Sequence, residues 1–463
     1  MNCPPWNTIT RNYDTFGRFS SVSSSVPSVP SVLYSYLPAS DLISEISNIQ
    51  SQIHTTKSYE DHRNLLTQVN NSLASTTLSQ YDYTNDSIGR RTSVKHSGTA
   101  FDVGPAFNAY GYNARSEVTN AARYWGADLG DTSDPVAGQA YAYAYDNIGN
   151  RTSSARGTNT MTYTANSLNQ YSQRTIPDGI DVLGSAETNT TVTVNNLATT
   201  RFGKYWHKGL TVTNDSSSVY QSVSVCAVYN PPGTNDPDIV ITQTGHVFVA
   251  KTPESFTYDA DGNLLTDGRF TYTWDAENRL IAAQTSTNLP ASVPRKKVEF
   301  TYDYMSRRVG KTVYSGLTNN NYQITNNSSF LYDGWNLISE LITDNGSLIT
   351  NSYVWGLDLS GSLQGAGGIG GLIAANIGTN SCLYTYDGNG NVSDLVDSQS
   401  GSIAAHYEFS PFGETVVATG PLARANPFRF STKYTDDEIA MLYYGYRFYH
   451  PGVGRWLSRD PIG

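Results

Sequence analysis

Charge is scarce in this 463-residue chain. Its 30 Lys plus Arg and 40 Asp plus Glu make up 15% of the residues, against about a quarter in an average domain. The net charge is −10 at pH 7, and the densest basic run is only Arg295-Lys296-Lys297. Phosphate binding draws on clustered Lys and Arg, so no nucleic-acid partner is expected. Long apolar runs are also missing. The most apolar stretch, Leu372 to Ala375, is interrupted at Asn376, far short of the ~18 residues that span a bilayer. The opening MNCPPWNTITRNYD lacks the basic start and apolar core of a signal peptide. Because Tyr13-Asp14 already belongs to the repeat described below, Met1 is open to doubt as the native start. Cysteine is rare as well: Cys3, Cys226 and Cys382 are far apart and form no CxxC or Cys/His spacing. Neither a disulfide framework nor a zinc site is expected, and no cofactor is expected either. Of seven scattered histidines, His207 and His246 could meet across strands of one module, though a surface or core role is favoured.

Tyrosine and glycine fill the gap, with 33 Tyr against 15 Phe, and 39 Gly. Tyr alone outnumbers Lys plus Arg. Such a composition suits strands and turns more than helices.

The tyrosines recur in a phrase: an aromatic, a residue, a second aromatic, Asp, then a polar turn ending Gly-Asn or Gly-Arg. It is clearest at Tyr145-Asp146 with Gly149-Asn150, Tyr258-Asp259 with Gly262-Asn263, and Tyr386-Asp387 with Gly390-Asn391. Looser copies are Tyr13-Asp14 with Gly17-Arg18, Trp274-Asp275 with Asn278-Arg279, and Tyr302-Asp303 with Arg307-Arg308. Tyr332-Asp333 with Gly334, and Tyr81-Asp82 with Gly89-Arg90, complete the set. Leu42, Ile46, Ile49 and Ile53 are spaced for a helix face, but the repeat overrules that reading. Tyr59 to Thr67 (YEDHRNLLT) aligns without gaps to Tyr258 to Thr266 (YDADGNLLT), so strands are expected there.

One unit reads as a β-hairpin. Aromatics at i and i+2 project from one strand face, the Asp bonds backbone N–H groups two residues on, and Gly or Asn supplies the positive φ of a short loop. Stacked hairpins bury one another's aromatic face, which one hairpin alone cannot do. The Tyr-Asp pairs could instead bind sugars; at this periodicity, strand core and turn starter is the favoured reading.

Between Pro177 and Lys251 the repeat gives way to alternating stretches such as Thr191-Val192-Thr193-Val194 and Val247-Phe248-Val249, separated by Pro231-Pro232-Gly233 and Asp236-Pro237-Asp238. This predicts an inserted small β-sandwich. The expected organisation is an N-terminal segment (1–30), YD repeats (31–176), the insert (177–251), YD repeats (252–402) and a C-terminal core (403–463). Gly365 to Gly370 satisfies G-x-G-x-x-G, but the helix that a dinucleotide site needs does not follow. We read it as a glycine-rich loop. No G-x-S-x-G, H-E-x-x-H or P-loop occurs.

From Asn426 the chain reads NPFRFSTKYTDDEIAMLYYGYRFYHPGVGRWLSRDPIG. With the Tyr-Asp repeats upstream, this resembles the Rhs/YD-repeat family of polymorphic toxins and teneurin-like shells. The matching positions of the Rhs repeat-associated core are Tyr443-Tyr444-Gly445-Tyr446-Arg447, Gly454-Arg455-Trp456-Leu457-Ser458 and Arg459-Asp460-Pro461-Ile462-Gly463. His450 stands where that family usually has Asp, and Ile439-Ala440-Met441 replaces its Thr-Gly-Leu step. The resemblance implies an all-β fold of hairpins wound into a shell or partial shell. It also implies a secreted or cell-surface location, and a C-terminal toxin held in cis or delivered through secretion machinery. A carbohydrate-binding adhesion role is the alternative. In the family an aspartyl-type self-cleavage frees the toxin, and the residues that serve it match Arg459 and Asp460. Paired aspartates divide acid and base roles. The partner lies downstream in the family, so this polypeptide, ending at Gly463, is expected not to cleave itself.

Overall fold

A computed structural model describes residues 8–24, 31–48, 50–232, 236–318 and 321–461; Cys3, Ile462 and Gly463 lie outside them. Antiparallel strands make up its regular structure, and among the described residues no α-helix occurs, only one 3₁₀ turn at Phe430–Thr432. The stretch that carries helical spacing forms strands at Ile43–Asn48, Ile53–Tyr59 and Leu66–Leu73. Aromatic and β-branched residues on alternate positions, with a turn device every few residues, leave no length for a helix.

The chain forms two compact units. The first comprises Met1–Ala100, Trp274–Ala283 and Lys296–Gly463. In it, eight strands from Ile9–Tyr13 to Arg91–Ser97 pair in sequence order, as do ten from Lys296–Tyr302 to Thr415–Thr419. Four short strands from Tyr434–Asp436 to Arg455–Trp456 make a separate C-terminal sheet. Phe19, Val22, Tyr34 and Leu78 pack against Leu357, Ile373, Leu383 and Val396, so one face of the early strands is buried on the late ones.

The second unit, Phe101–Thr273 with Gln284–Arg295, holds further hairpins from Ala106–Tyr112 to Tyr171–Arg174. Between Tyr171–Arg174 and its neighbour Glu254–Ser255, the chain builds two small sheets. One has three strands: Gly179–Ser185, Tyr205–Thr211 and Thr200–Phe202. The other has four: Leu197–Ala198, Thr190–Val194, Val219–Tyr229 and Ile239–Val249. They share a core of Val192, Val194, Trp206, Leu210 and Val223. His207 bonds Asp181 at 2.7 Å and His246 stacks on Tyr220, so each histidine has its own partner. No group of three His, Cys, Asp or Glu suited to a metal occurs among the described residues.

The repeat turn has one recurring geometry. In Asp303 to Arg307, Asp303 N–H donates to the Arg307 carbonyl and Ser306 N–H to the Asp303 carbonyl. The carboxylate accepts Met305 N–H and Arg307 N–H, both at 2.9 Å, and Arg307 Nε at 2.8 Å. The same scheme closes Asp14 with Arg18, Asp86 with Arg90, Asp275 with Arg279, and Asp387 with Asn391. The fourth residue of each loop has positive φ, as at Gly17 (78°), Gly390 (72°) and Asn278 (58°), a region that favours Gly and Asn.

Two expected copies of the motif are corrected. Asp82 lies inside the strand Thr76–Asn85 and accepts from Gln68 and Gln80; the turn aspartate of that hairpin is Asp86. Asp333 flanks a tight two-residue turn, pairing with Asn336, and its carboxylate takes Arg11 at 2.9 Å.

Candidate functional site

Arginines and tyrosines link each turn to the next. Arg18 Nη1 donates to Ser40 O, Arg63 Nη1 to Asp86 O, and Arg279 Nη1 to Asp303 O. The Arg18 and Arg279 guanidiniums also lie over the rings of Tyr36 and Tyr302, at 4.4 and 5.3 Å. In return, the tyrosine before each turn donates its hydroxyl to a carbonyl at the start of the preceding strand. Tyr36 bonds Phe19 O at 2.6 Å, Tyr145 bonds Val118 O at 2.9 Å, Tyr302 bonds Leu280 O at 2.6 Å and Tyr332 bonds Arg308 O at 2.8 Å; Tyr386 bonds Leu372 O. The aromatic two residues earlier is buried, as at Tyr34, Phe300, Phe330 and Tyr384. These rings are engaged within the hairpins and form no open platform.

Where the turn ends in two arginines, the second reaches beyond the turn. Arg307 closes its own turn, and Arg308 runs into the protein, 1% exposed. Its Nη1 meets Asp436 Oδ2 at 2.6 Å, and Lys311 Nζ meets Asp436 Oδ1 at 2.8 Å and Glu438 at 2.9 Å. The guanidinium sits among Phe300, Phe330, Tyr434 and Tyr443, at 4.4 to 5.3 Å from the ring centres. Tyr443 accepts Arg308 N–H, and Tyr434 donates to Glu340 at 2.7 Å. Asp436, Tyr434 and Tyr443 belong to the C-terminal sheet, so this cluster anchors that sheet on the repeat strands. Burial alone would raise the Asp436 carboxyl, but Arg308 and Lys311 outweigh it and hold it below the usual range. Arg91 follows the same logic after Arg90: it stacks on Tyr83 and donates to Gly388 O and Asn389.

A cavity of about 300 Å³ opens beside the anchor, lined by Trp335, Trp355, Phe428, Lys433, Tyr444 and Tyr446 among others. Lys433 donates to the Gly367 carbonyl and lies 5.2 Å from the Tyr444 ring centre; burial pushes its amine down to about 8. The glycine-rich loop forms the neighbouring wall. Asp358 fills it, accepting Ser360, Ala366 and Gly368 N–H at 2.6 to 3.1 Å. The N–H groups that a nucleotide phosphate would need are therefore occupied, and the next element, Leu372–Ile377, is a strand. A second buried charge cluster joins Asp394 to His406 at 2.7 Å, with Ser79 and Thr385 on the same carboxylate.

Arg459 and Asp460 are both exposed. Asp460 bonds Arg447 at 2.9 Å, and the Arg447 guanidinium covers Trp456 at 4.3 Å. The two residues expected for self-cleavage thus lie at the surface beside the C-terminal sheet. The sequence reading missed Asp436 and Arg308, although one signal was there: a doubled arginine where one suffices for the turn.

Fold and anchor together define an all-β hairpin-repeat protein with a C-terminal sheet locked onto its repeats. Comparison with known proteins relates it, at that level, to Rhs-type and polymorphic toxins. It is 30% identical over 209 residues to the tRNA3(Ser)-specific nuclease WapA of Bacillus spizizenii, covering 45% of this chain and 8% of that protein. It is 26% identical over 224 residues to the double-stranded DNA deaminase toxin A of Burkholderia cenocepacia, covering 45% and 15%. It is 35% identical over 83 residues to the toxin subunit YenC1 of Yersinia entomophaga, covering 17% and 8%. The chain therefore spans only a small part of each relative's length. No family model matches it. A crystal structure of TcdB2-TccC3 aligns over 99% of this chain and 26% of that one, at 15% identity and a TM-score of 0.36.

Proposed function

We propose that this chain is a structural encapsulation module of an Rhs-type toxin. In this reading, YD hairpins form the wall of a shell or partial shell, the C-terminal sheet closes against it, and a toxin segment in cis is the cargo. The observation that carries the reading is the buried Arg308–Asp436–Lys311 anchor, which fixes the C-terminal sheet to repeat strands more than a hundred residues earlier. The engaged tyrosine hydroxyls favour a wall over a sugar-binding surface. The same proposal takes in the segment boundaries at 31–176, 177–251, 252–402 and 403–463, a secreted or cell-surface location, and Arg459 and Asp460 as this chain's share of a self-cleavage site.

The test is to express the chain followed by whatever its gene encodes after Gly463 and to treat it with protease. An extension that resists digestion while attached, and is digested once the protein is unfolded, supports encapsulation. Equal digestion in both states refutes it. Asp460→Asn is expected to stop release of the extension; undiminished release would remove Asp460 from the site.

A further inference from the structure

The strand Ile239–Val249 ends its four-stranded sheet and pairs with Val219–Tyr229 alone, without a bulge, over eleven residues. It is exposed from Ile239 to Val247, with Ile239, Val240 and Ile241 at 52, 57 and 59% and Val247 at 40%. It contains no Asp, Glu, Lys, Arg or Pro. Natural edge strands are normally short, bulged, charged or covered, because a row of unpaired N–H and C=O groups recruits another strand. From Ile239 to Val247 this edge has none of those protections; only its end is covered, with Arg269 over the Phe248 ring at 4.9 Å and Val249 buried.

From this we propose that the strand Ile239–Val249 is an interface with a second copy of this chain, the two strands pairing antiparallel about a two-fold axis at Thr244. The evidence for self-pairing is in the sequence, IVITQTGHVFV, whose apolar and polar residues are arranged as a palindrome. In an antiparallel two-fold pair, opposed residues must share a face, so their numbers sum to an even value. Centring on Thr244 sets Ile241 opposite Val247, Val240 opposite Phe248 and Ile239 opposite Val249. Thr242 then faces His246, Gln243 faces Gly245, and Thr244 faces itself. Every apolar residue meets an apolar one, the pairing that stabilises a sheet. Moving the axis to Gln243 sets Ile241 against Gly245 and Val240 against His246; moving it to Gly245 sets Thr242 against Phe248 and Gln243 against Val247. Only the Thr244 register matches throughout. A charged partner strand would find no complement here, whereas a second copy brings the same uncharged pattern. The two sheets would join into one of eight strands.

The register makes the test specific. Light scattering of the intact chain over a concentration series is expected to reach twice the 50.6 kDa monomer mass. Thr244→Lys places two ammonium groups opposite each other at the axis, and Thr244→Glu two carboxylates; each variant alone is expected to be monomeric. A mixture of the two is expected to dimerise again, which misfolding of either variant could not produce. Under oxidation Thr244→Cys is expected to cross-link, because opposed Cα atoms of an antiparallel pair lie ~4.5–5.5 Å apart, within disulfide reach. Gln243→Cys, facing Gly245, is expected to cross-link no more than the unsubstituted chain. A monomer at every concentration overturns the proposal, as does a dimer that Thr244→Lys leaves intact.

Discussion

Asp436→Asn tests the anchor most directly. Asp436 is fully buried between Arg308, 1% exposed, and Lys311, 5% exposed, with contacts of 2.6 and 2.8 Å. The substitution preserves size and removes the charge. Lys311 keeps Glu438, whose side chain is 24% exposed, so its loss is partial. Arg308 keeps only its aromatic surroundings and is left as a buried cation without its carboxylate. Removing one member of a buried pair costs about 3–5 kcal/mol, a large share of the ~5–15 kcal/mol that holds a typical protein folded. Urea denaturation followed by circular dichroism, together with the rate of proteolysis within residues 424–461, should both show the loss. The triple substitution Arg308→Met, Lys311→Met and Asp436→Leu should recover most of it, since no fully buried charge is then left unpaired; Glu438 loses Lys311, but its side chain is part-exposed and keeps water. An unchanged urea midpoint in Asp436→Asn would refute the reasoning. So would equal destabilisation by the single and triple variants, because the cost would then come from packing and not from the orphaned charge.

Two further expectations concern groups of the same unit. Burial alone would lower the His406 imidazole, but its hydrogen bond to Asp394 and the nearby Glu408 carboxylate, 3.7 Å away, lift it to about 10. A pKa raised above the unfolded value, roughly 6.5, gives stability that is complete below pH 6.5 and lost as the pH rises toward 10. The urea midpoint should fall across that window, and His406→Gln should flatten the fall; an identical slope in the variant would exclude His406 as its source. Tyr302→Phe removes the hydroxyl that bonds Leu280 O at 2.6 Å and should cost about 1 kcal/mol. Tyr304→Phe, at a ring 92% exposed, should stay within roughly 0.5 kcal/mol, and equal effects would show that the inter-hairpin bond contributes nothing.

The hairpins were legible because two periodic signals coincide, aromatics at i and i+2 and an Asp three residues before Gly-Asn or Gly-Arg. Pattern alone failed at Asp82 and Asp333, where Tyr-Asp occurs without the loop that follows. At residues 81–90 the run Tyr83-Thr84-Asn85-Asp86 carries the true turn aspartate, Asp86, four residues before Arg90. The distance from Asp to the loop-closing residue therefore identifies a turn better than the Tyr-Asp pair does. The anchor was not legible, because Arg308 and Asp436 are joined only by the tertiary fold, and nothing local distinguishes Asp436 from the adjacent Asp437, which pairs with Arg429. Arg459 and Asp460 could be located by resemblance, but their exposed setting beside Arg447 could not.

The excess of Tyr over Phe follows from the same bonds. Packing at the inner aromatic position needs only a ring, and Phe300 and Phe330 serve there as well as Tyr34 and Tyr384. The outer position, next to the Asp, must also satisfy a carbonyl where two hairpins meet, and Tyr36, Tyr145, Tyr302, Tyr332 and Tyr386 do so. A phenylalanine there would leave that carbonyl without its protein donor. The low charge content has a matching cause. Each turn needs one carboxylate and at most one arginine, and Asn150, Asn263 and Asn391 replace that arginine without losing the bond to Asp. A charged residue beyond this minimum is thus a signal in itself. Arg308 after Arg307 and Arg91 after Arg90 are such residues: Arg308 reaches the strand Tyr434–Asp436, 128 positions on, and Arg91 the turn at Gly388, 297 positions on. In a repeat whose turns satisfy their own charges, the surplus arginine is where the sequence records a long-range contact.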